Sequence, residues 1–174
     1  MENRLLYRFI EQVQAHCRLA RLASGELRTA LATLNPEQSA LRLHAFLAQV
    51  YIVSRLLWPE RESSAERGAT LRRELTVAED ALLRLTPLRK HLVRPDECYE
   101  DWVTRLPEPN YLDFNLMPLG TLAGAPEDAF QTNLDPDTLL LTWRGDTMNL
   151  AQLDEELRRL LHATETWLRR HNPW

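Results

Sequence analysis

Residues 37–57, EQSALRLHAFLAQVYIVSRLL, form the most apolar segment of the chain, and the reading of this segment decides the fold. Its length approaches the roughly 20 apolar residues that a bilayer span requires. Arg42, His44, Gln49, Ser54 and Arg55 interrupt it, which argues for a central core helix and against a membrane span. Apolar residues occupy most of its faces, while His44, Ala48, Tyr51 and Arg55 fall on one stripe at helical spacing. That stripe either faces solvent, as one face of any surface helix does, or faces a ligand if the helix packs against another charged segment.

Toward the N-terminus, Leu5, Leu6, Phe9, Val13, Cys17, Ala20 and Leu27 recur at three- and four-residue steps, the pattern of a long amphipathic helix. Gly25 marks a weak point in it, and Asn35-Pro36 ends the run after Leu31. Toward the C-terminus, Trp58-Pro59 closes the core helix, and a charged loop through Arg67-Gly68 leads to a short helical piece around Leu71 and Leu75. Thr76-Val77-Ala78-Glu79 is a capping-box pattern, so a further helix is expected to start there, run toward Arg94 and end at Pro95.

From 106 to 137 the chain changes character, with Pro107, Pro109, Pro118, Pro126 and Pro136 among small and polar residues. This reads as a long Pro-rich loop, either pinned to the helices by Tyr111, Leu112, Phe114, Leu116 and Met117 or serving as a lid. Asp135-Pro136-Asp137 is a turn signal, Thr138 to Trp143 a strand, and Arg144-Gly145-Asp146 a tight turn into Thr147-Met148, giving a β-hairpin over 138–148. The Arg-Gly-Asp tripeptide is read as a turn, and an adhesive meaning is given negligible weight because no secretion signal is expected. Asn149 and Gln152 suit the capped start of a C-terminal helix over 149–171, with Leu150, Leu153, Leu157, Leu160, Leu161 and Trp167 or Leu168 on its apolar side.

The chain has 174 residues, 44% hydrophobic and 26% charged, which suits one domain with one substantial core; residues 1–105 form its helical part. A net charge of −4 excludes a protein-wide basic field for non-specific nucleic-acid binding, so any RNA contact must come from a local cluster. Lys90 is the sole lysine among 21 basic residues, a bias that weakens any single arginine as a functional signal. Two well-separated cysteines, Cys17 and Cys98, fit a reducing cytoplasm better than a disulfide framework. His91, Asp96, Glu97 and Cys98 are metal-liganding types without a recognisable ligand spacing, so no metal and no cofactor is expected.

The densest charge is in Leu88-Arg89-Lys90-His91-Leu92-Val93-Arg94-Pro95-Asp96-Glu97. On a continuous helix, Arg89 lies beside the row Leu82, Leu85, Leu88 and Leu92, half buried, whereas Lys90, His91 and Arg94 point elsewhere. A guanidinium keeps its proton, so burial requires an anion: Asp96 or Glu97 as structural carboxylates, or a ligand such as phosphate. A helix C-terminus carries partial negative charge, which by itself accounts for several nearby cations.

The segment LRKHLVRPDECYEDW (88–102), with HAFLAQVYIVSRLLWP (44–59) upstream, resembles the HEPN superfamily of small helical proteins, in particular a bacterial branch whose core motif reads like LRNHFEHFDERxDEW. Leu88, Arg89, His91, Asp96, Glu97 and Trp102 match. The likeness is strongest from 43 to 102 and loose elsewhere, where it takes in Asp113, Asn115 and the strand-turn-helix tail. It implies a mainly α fold, a HEPN-like helical bundle with a small β-hairpin before the C-terminal helix, assembled as a homodimer.

Active members are metal-independent ribonucleases whose motif pairs an arginine with a downstream histidine. Arg89 matches the arginine, but Arg94 stands at the histidine position and Lys90 at the polar one. An arginine can hold phosphate and cannot act as a base. Two alternatives are a shifted Arg84–His91 pairing, interrupted by Pro87, and Arg89 with His91, which point about 200° apart on a helix.

Three functions follow. One is a catalytically degenerate dimer that binds RNA, a nucleotide or another phosphate-bearing ligand through Arg84, Arg89, Lys90 and Arg94, with His44 and Arg55 contributed by the core helix. The second is an endoribonuclease of toxin or phage-defence type, with Arg89 stabilising phosphorane-like charge and His91 as base. The third is a structural or partner-binding dimer, with a partner such as an antitoxin. The apolar surface of the core helix and of the C-terminal helix also points to a dimer.

Overall fold

The computed structural model describes residues 3–106, 112–118 and 120–171. The fold is mainly α, with a small sheet before the C-terminal helix. Helix α1 (Asn3–Ala32) carries Ile10, Val13, Cys17 and Ala20 fully buried on one face and runs through Gly25 without a break. A turn with Leu34 at positive φ reverses the chain, and the Asn35 side chain accepts from the Gln38 N–H at 3.1 Å to cap α2 (Pro36–Leu57). Asn35-Pro36 thus both ends one helix and starts the next, with the proline in the first turn where its missing N–H costs nothing.

Leu43, Phe46, Leu47, Val50, Val53 and Leu57 of α2 are buried. By length and composition α2 could span a bilayer, but this face is packed within the chain. Burial of each such side chain contributes about 1.5–3 kcal/mol. The helices α1 and α2 run antiparallel, as the pairs Arg42–Glu26 and His16–Gln49 show. The last helix, α6 (Leu150–Arg170), returns along α1, joined by Arg18–Glu165 near one end and Arg28–Asp154 near the other. The apolar surface of α2 and α6 that the sequence left over is therefore largely covered by α1; the large apolar side chains still exposed on this side are Leu5, Leu19, Leu22, Leu34 and Leu41.

Between α2 and α6 the chain departs from expectation. Helix α3 (Ala65–Glu74) ends in a Schellman motif: the Val77 N–H bonds to the Arg72 carbonyl at 2.8 Å while Thr76 takes a left-handed φ of 55°. Thr76-x-x-Glu79 is thus the exit of a helix and not the entrance of one. Glu79 receives Arg72 and the Trp58 indole instead of capping a helix. The expected helix from 76 to 94 is reduced to a short 3-10 turn at Leu82–Arg84, Leu85 at φ 56°, and the five-residue α4 (Arg89–Val93). Pro95 begins α5 (Pro95–Arg105) where it was expected to end a helix.

The region 106–137 is not simply a loop. It contains β1 (Leu112–Leu116) and β2 (Phe130–Leu134), paired in parallel with Phe114 opposite Thr132. The expected pins Phe114 and Leu116 do pack against the core; Tyr111, Pro107 and Pro109 lie outside the described residues. Antiparallel β3 (Leu140–Trp143) and β4 (Asp146–Asn149) complete the sheet in the order β1-β2-β3-β4. The β3–β4 connection has Arg144 at φ 52° and Gly145 at φ 89°, a two-residue type I′ turn that matches the twist of a hairpin. Asn149 then caps α6 by accepting from the Gln152 N–H at 2.9 Å.

Candidate functional site

The break at Leu85 divides the expected charge cluster between two faces. On one face a groove of about 620 Å³ is lined by Trp58, Glu60, Arg72, Glu79, Arg84 and Arg89. Arg89 is half buried as expected, but its partner is Glu60, at 3.0 Å, and neither Asp96 nor Glu97. The same Glu60 oxygen pairs with Arg55, so α2 and α4 do converge, through a carboxylate that sequence reasoning missed. Both guanidinium hydrogen bonds hold the Glu60 carboxyl below its usual range. Arg84 is exposed and has no ion pair among the described residues, and it shares this groove with Glu79.

Arg94 pairs with Glu97 at 3.0 Å with both side chains largely exposed, and Asp96 is exposed without an ion pair among the described residues. His44 is exposed, its Nδ1–H donating to the Ala40 carbonyl at 2.8 Å.

On the other face lie Lys90 and His91. The imidazole of His91 is 3% exposed and stacks on Trp143, with centroids 5.2 Å apart and an interplanar angle of 16°. His44 meets the same indole edge-on at 5.8 Å, which puts both histidines around one ring. His91 Nε2–H donates to Asp146 Oδ2 at 2.7 Å, and Lys90 Nζ reaches the same oxygen at 2.7 Å. Burial holds the His91 pKa below its ordinary value against the opposing pull of Asp146. Burial alone would raise the Asp146 carboxyl, but the bonds from Lys90 and His91 outweigh it and hold the group low. The neutral imidazole therefore donates from Nε2, and its buried Nδ1 has no hydrogen-bond partner.

Arg144 completes this face. It is 8% exposed, donates from one terminal nitrogen to the Pro95 carbonyl at 3.0 Å, and lies over the Tyr99 ring at 5.1 Å. Its Nε is buried without a partner, and among the described residues no carboxylate pairs with it. Burial pushes its pKa below the ordinary arginine value, but a guanidinium remains charged at neutral pH. Arg144 lines a pocket of about 450 Å³ with Lys90, His91, Cys98, Asp101, Trp102 and Arg105.

Lys90 and His91 thus lie together in one pocket with Arg105 and Arg144, whereas Arg84 and Arg89 line the other groove and Arg94 lines neither. Arg144 and Asp146 were legible only as turn residues; the signal they carried was two opposite charges flanking the glycine of a turn. The shifted Arg84–His91 pairing does not form, since the two residues open on different cavities. Among the described residues no group of three or more histidine, cysteine or acidic side chains is arranged to hold a metal. Comparison of the chain with known protein families, curated proteins and solved structures finds no match.

Proposed function

We propose that the protein binds a phosphate-bearing ligand in the pocket formed by Lys90, Arg105 and Arg144, without cleaving RNA there. The observation that carries this reading is Arg144: a guanidinium more than nine-tenths buried, without an ion pair among the described residues, in a pocket that holds two further cations and one carboxylate, Asp101. Such a group is stabilised by an anion that reaches it, and a planar guanidinium matches phosphate oxygens. His91 serves as scaffold in this reading, because its Nε2 is committed to Asp146 and its Nδ1 is buried. The resemblance to HEPN proteins supports the same class of ligand and a homodimer, for which the exposed leucines of α1 offer a surface.

The structural reading also has an observation in its favour, confined to the other face: Arg55 and Arg89 are tied to Glu60 and need no ligand.

Titration calorimetry with inorganic phosphate and with ribose 5-phosphate tests the proposal. Binding should weaken as salt is raised and disappear in Arg144→Gln, while Arg84→Gln binds as the parent does. Binding lost in Arg84→Gln and retained in Arg144→Gln would move the site to the Glu60 groove, and chelator-resistant RNA cleavage that depends on His91 would restore the nuclease reading.

A further inference from the structure

We propose that Cys98 is a thiol-modification site selective for negatively charged disulfides, and that the adduct occludes the anion pocket, the second half resting on the phosphate reading above. The chain has two cysteines with opposite surroundings. Cys17 is fully buried in the α1 face of the core, and burial pushes its thiol up to about 12, which leaves it unreactive. Cys98, on α5, is partly exposed and opens on the pocket that holds Lys90, Arg105 and Arg144 together with one carboxylate, Asp101; Lys90 is paired with Asp146, which leaves Arg105 and Arg144 as the pocket's cations without an ion pair among the described residues.

The second observation is independent of the thiol. The buried Arg144 guanidinium has an unpartnered Nε, makes no ion pair among the described residues, and lines the same pocket as Cys98. The attacking species in disulfide exchange is the thiolate. The cations of the pocket attract carboxylates on an incoming disulfide, and a pocket of about 450 Å³ lies within the range of about 300–1,000 Å³ typical of small-molecule sites.

In the exchange the Cys98 thiol loses its proton to solvent, and its sulfur attacks one sulfur of the small disulfide. A bond forms between Cys98 and that half, the original S–S bond breaks, and the other half leaves as a thiolate that takes up a proton. Cys98 is oxidised and the departing half is reduced, with no further reagent required. The retained half fills the space beside Arg144.

The test uses the whole chain at neutral pH and low salt with two disulfides: the dianionic dithiobis(nitrobenzoate) and the cationic cystamine. Each rate is normalised to that of free cysteine with the same reagent, and the adduct is located by mass spectrometry. A single adduct on Cys98 is expected, with the anionic reagent favoured by about tenfold or more. The preference should fall in Arg144→Gln and, as a check against misfolding of that variant, in the exposed-site variant Arg105→Gln; Cys98→Ser should not react. Equal normalised rates, or modification of Cys17 in the folded chain, would overturn the proposal. If the preference holds but inorganic phosphate does not slow the reaction, the modification site stands and the phosphate reading fails. If phosphate binds and Cys98 shows no preference, the reverse follows.

Discussion

His91 and Asp146 share a hydrogen bond of 2.7 Å across 55 residues of sequence, which fastens the five-residue α4 to the tip of the β3–β4 hairpin. Lys90 reaches the same carboxylate oxygen at 2.7 Å, and both Lys90 and His91 line the pocket of about 450 Å³. With the Lys90–Asp146 pair, the bond ties together two elements too short to be stable alone.

Loss of this tie should be visible in stability. Asp146→Asn removes the charge that both Lys90 and His91 address, and urea unfolding should show a loss of about 1–2 kcal/mol, moderated because the carboxylate is partly exposed. An unchanged midpoint would show that the hairpin is held by Trp143 packing alone.

The same pair sets a pH dependence. The folded pKa of His91 lies below its unfolded value of about 6.5, so the unfolded chain binds the extra proton first. Stability is then fully present above about pH 6.5 and falls as pH drops from there through the lower folded value. His91→Gln should flatten this slope of the urea midpoint against pH, and a parent curve with no slope in this window would contradict the buried neutral imidazole.

Two glycines in helices should respond oppositely to the same change. A Cβ on Gly68 would lie 2.7 Å from the Leu57 carbonyl and collide with the Pro59 ring, whereas Gly25 has nothing within 4 Å. Gly68→Ala should lower stability by about 1–3 kcal/mol through overpacking, despite the better helix propensity of alanine. Gly25→Ala should raise it by about 0.5–1 kcal/mol. Thermal denaturation of both variants decides; stabilisation by Gly68→Ala would mean that α3 does not approach Pro59 this closely.

How far the sequence could be read depended on how local the determinants were. The Asn149–Gln152 cap and the Arg144-Gly145 turn are decided within four residues, and both were legible. The Thr76–Glu79 pattern is equally local but loses to partners at a distance: Glu79 is taken by Arg72 and Trp58, and Thr76 closes α3. Strands β1 and β2 escaped notice because each is five residues long and their parallel pairing spans a crossover rich in proline. The site escaped for the same reason, since Arg144 and Asp146 meet Pro95, Lys90 and His91 only after the hairpin folds back on α4 and α5.

Assembly follows from the proposed function. Leu5, Leu19 and Leu22 lie within about 100° of one another around α1 and are each about half exposed. A homodimer that covers this stripe should give twice the monomer mass in light scattering at micromolar concentration, and Leu19→Glu should shift it to monomer. A parent that is monomeric under these conditions would remove the dimer from the proposal.

Arg89 offers the last contrast. Had it been the wholly buried partner of Asp96 or Glu97, its removal would leave an uncompensated charge and cost about 3 kcal/mol or more. Its partner Glu60 is instead about half exposed, and Arg55 remains to neutralise the same oxygen. Exposed pairs contribute little, so Arg89→Ala should cost about 1 kcal/mol, with part of that from lost packing of its aliphatic stem. Because Arg55 and Arg89 meet at Glu60, the double variant Arg55→Ala/Arg89→Ala should cost more than the sum of the two single changes. A double-mutant cycle in urea reads this directly: strict additivity would mean that the two arginines do not share Glu60, and a single-variant cost above about 3 kcal/mol would restore Arg89 as a buried clamp.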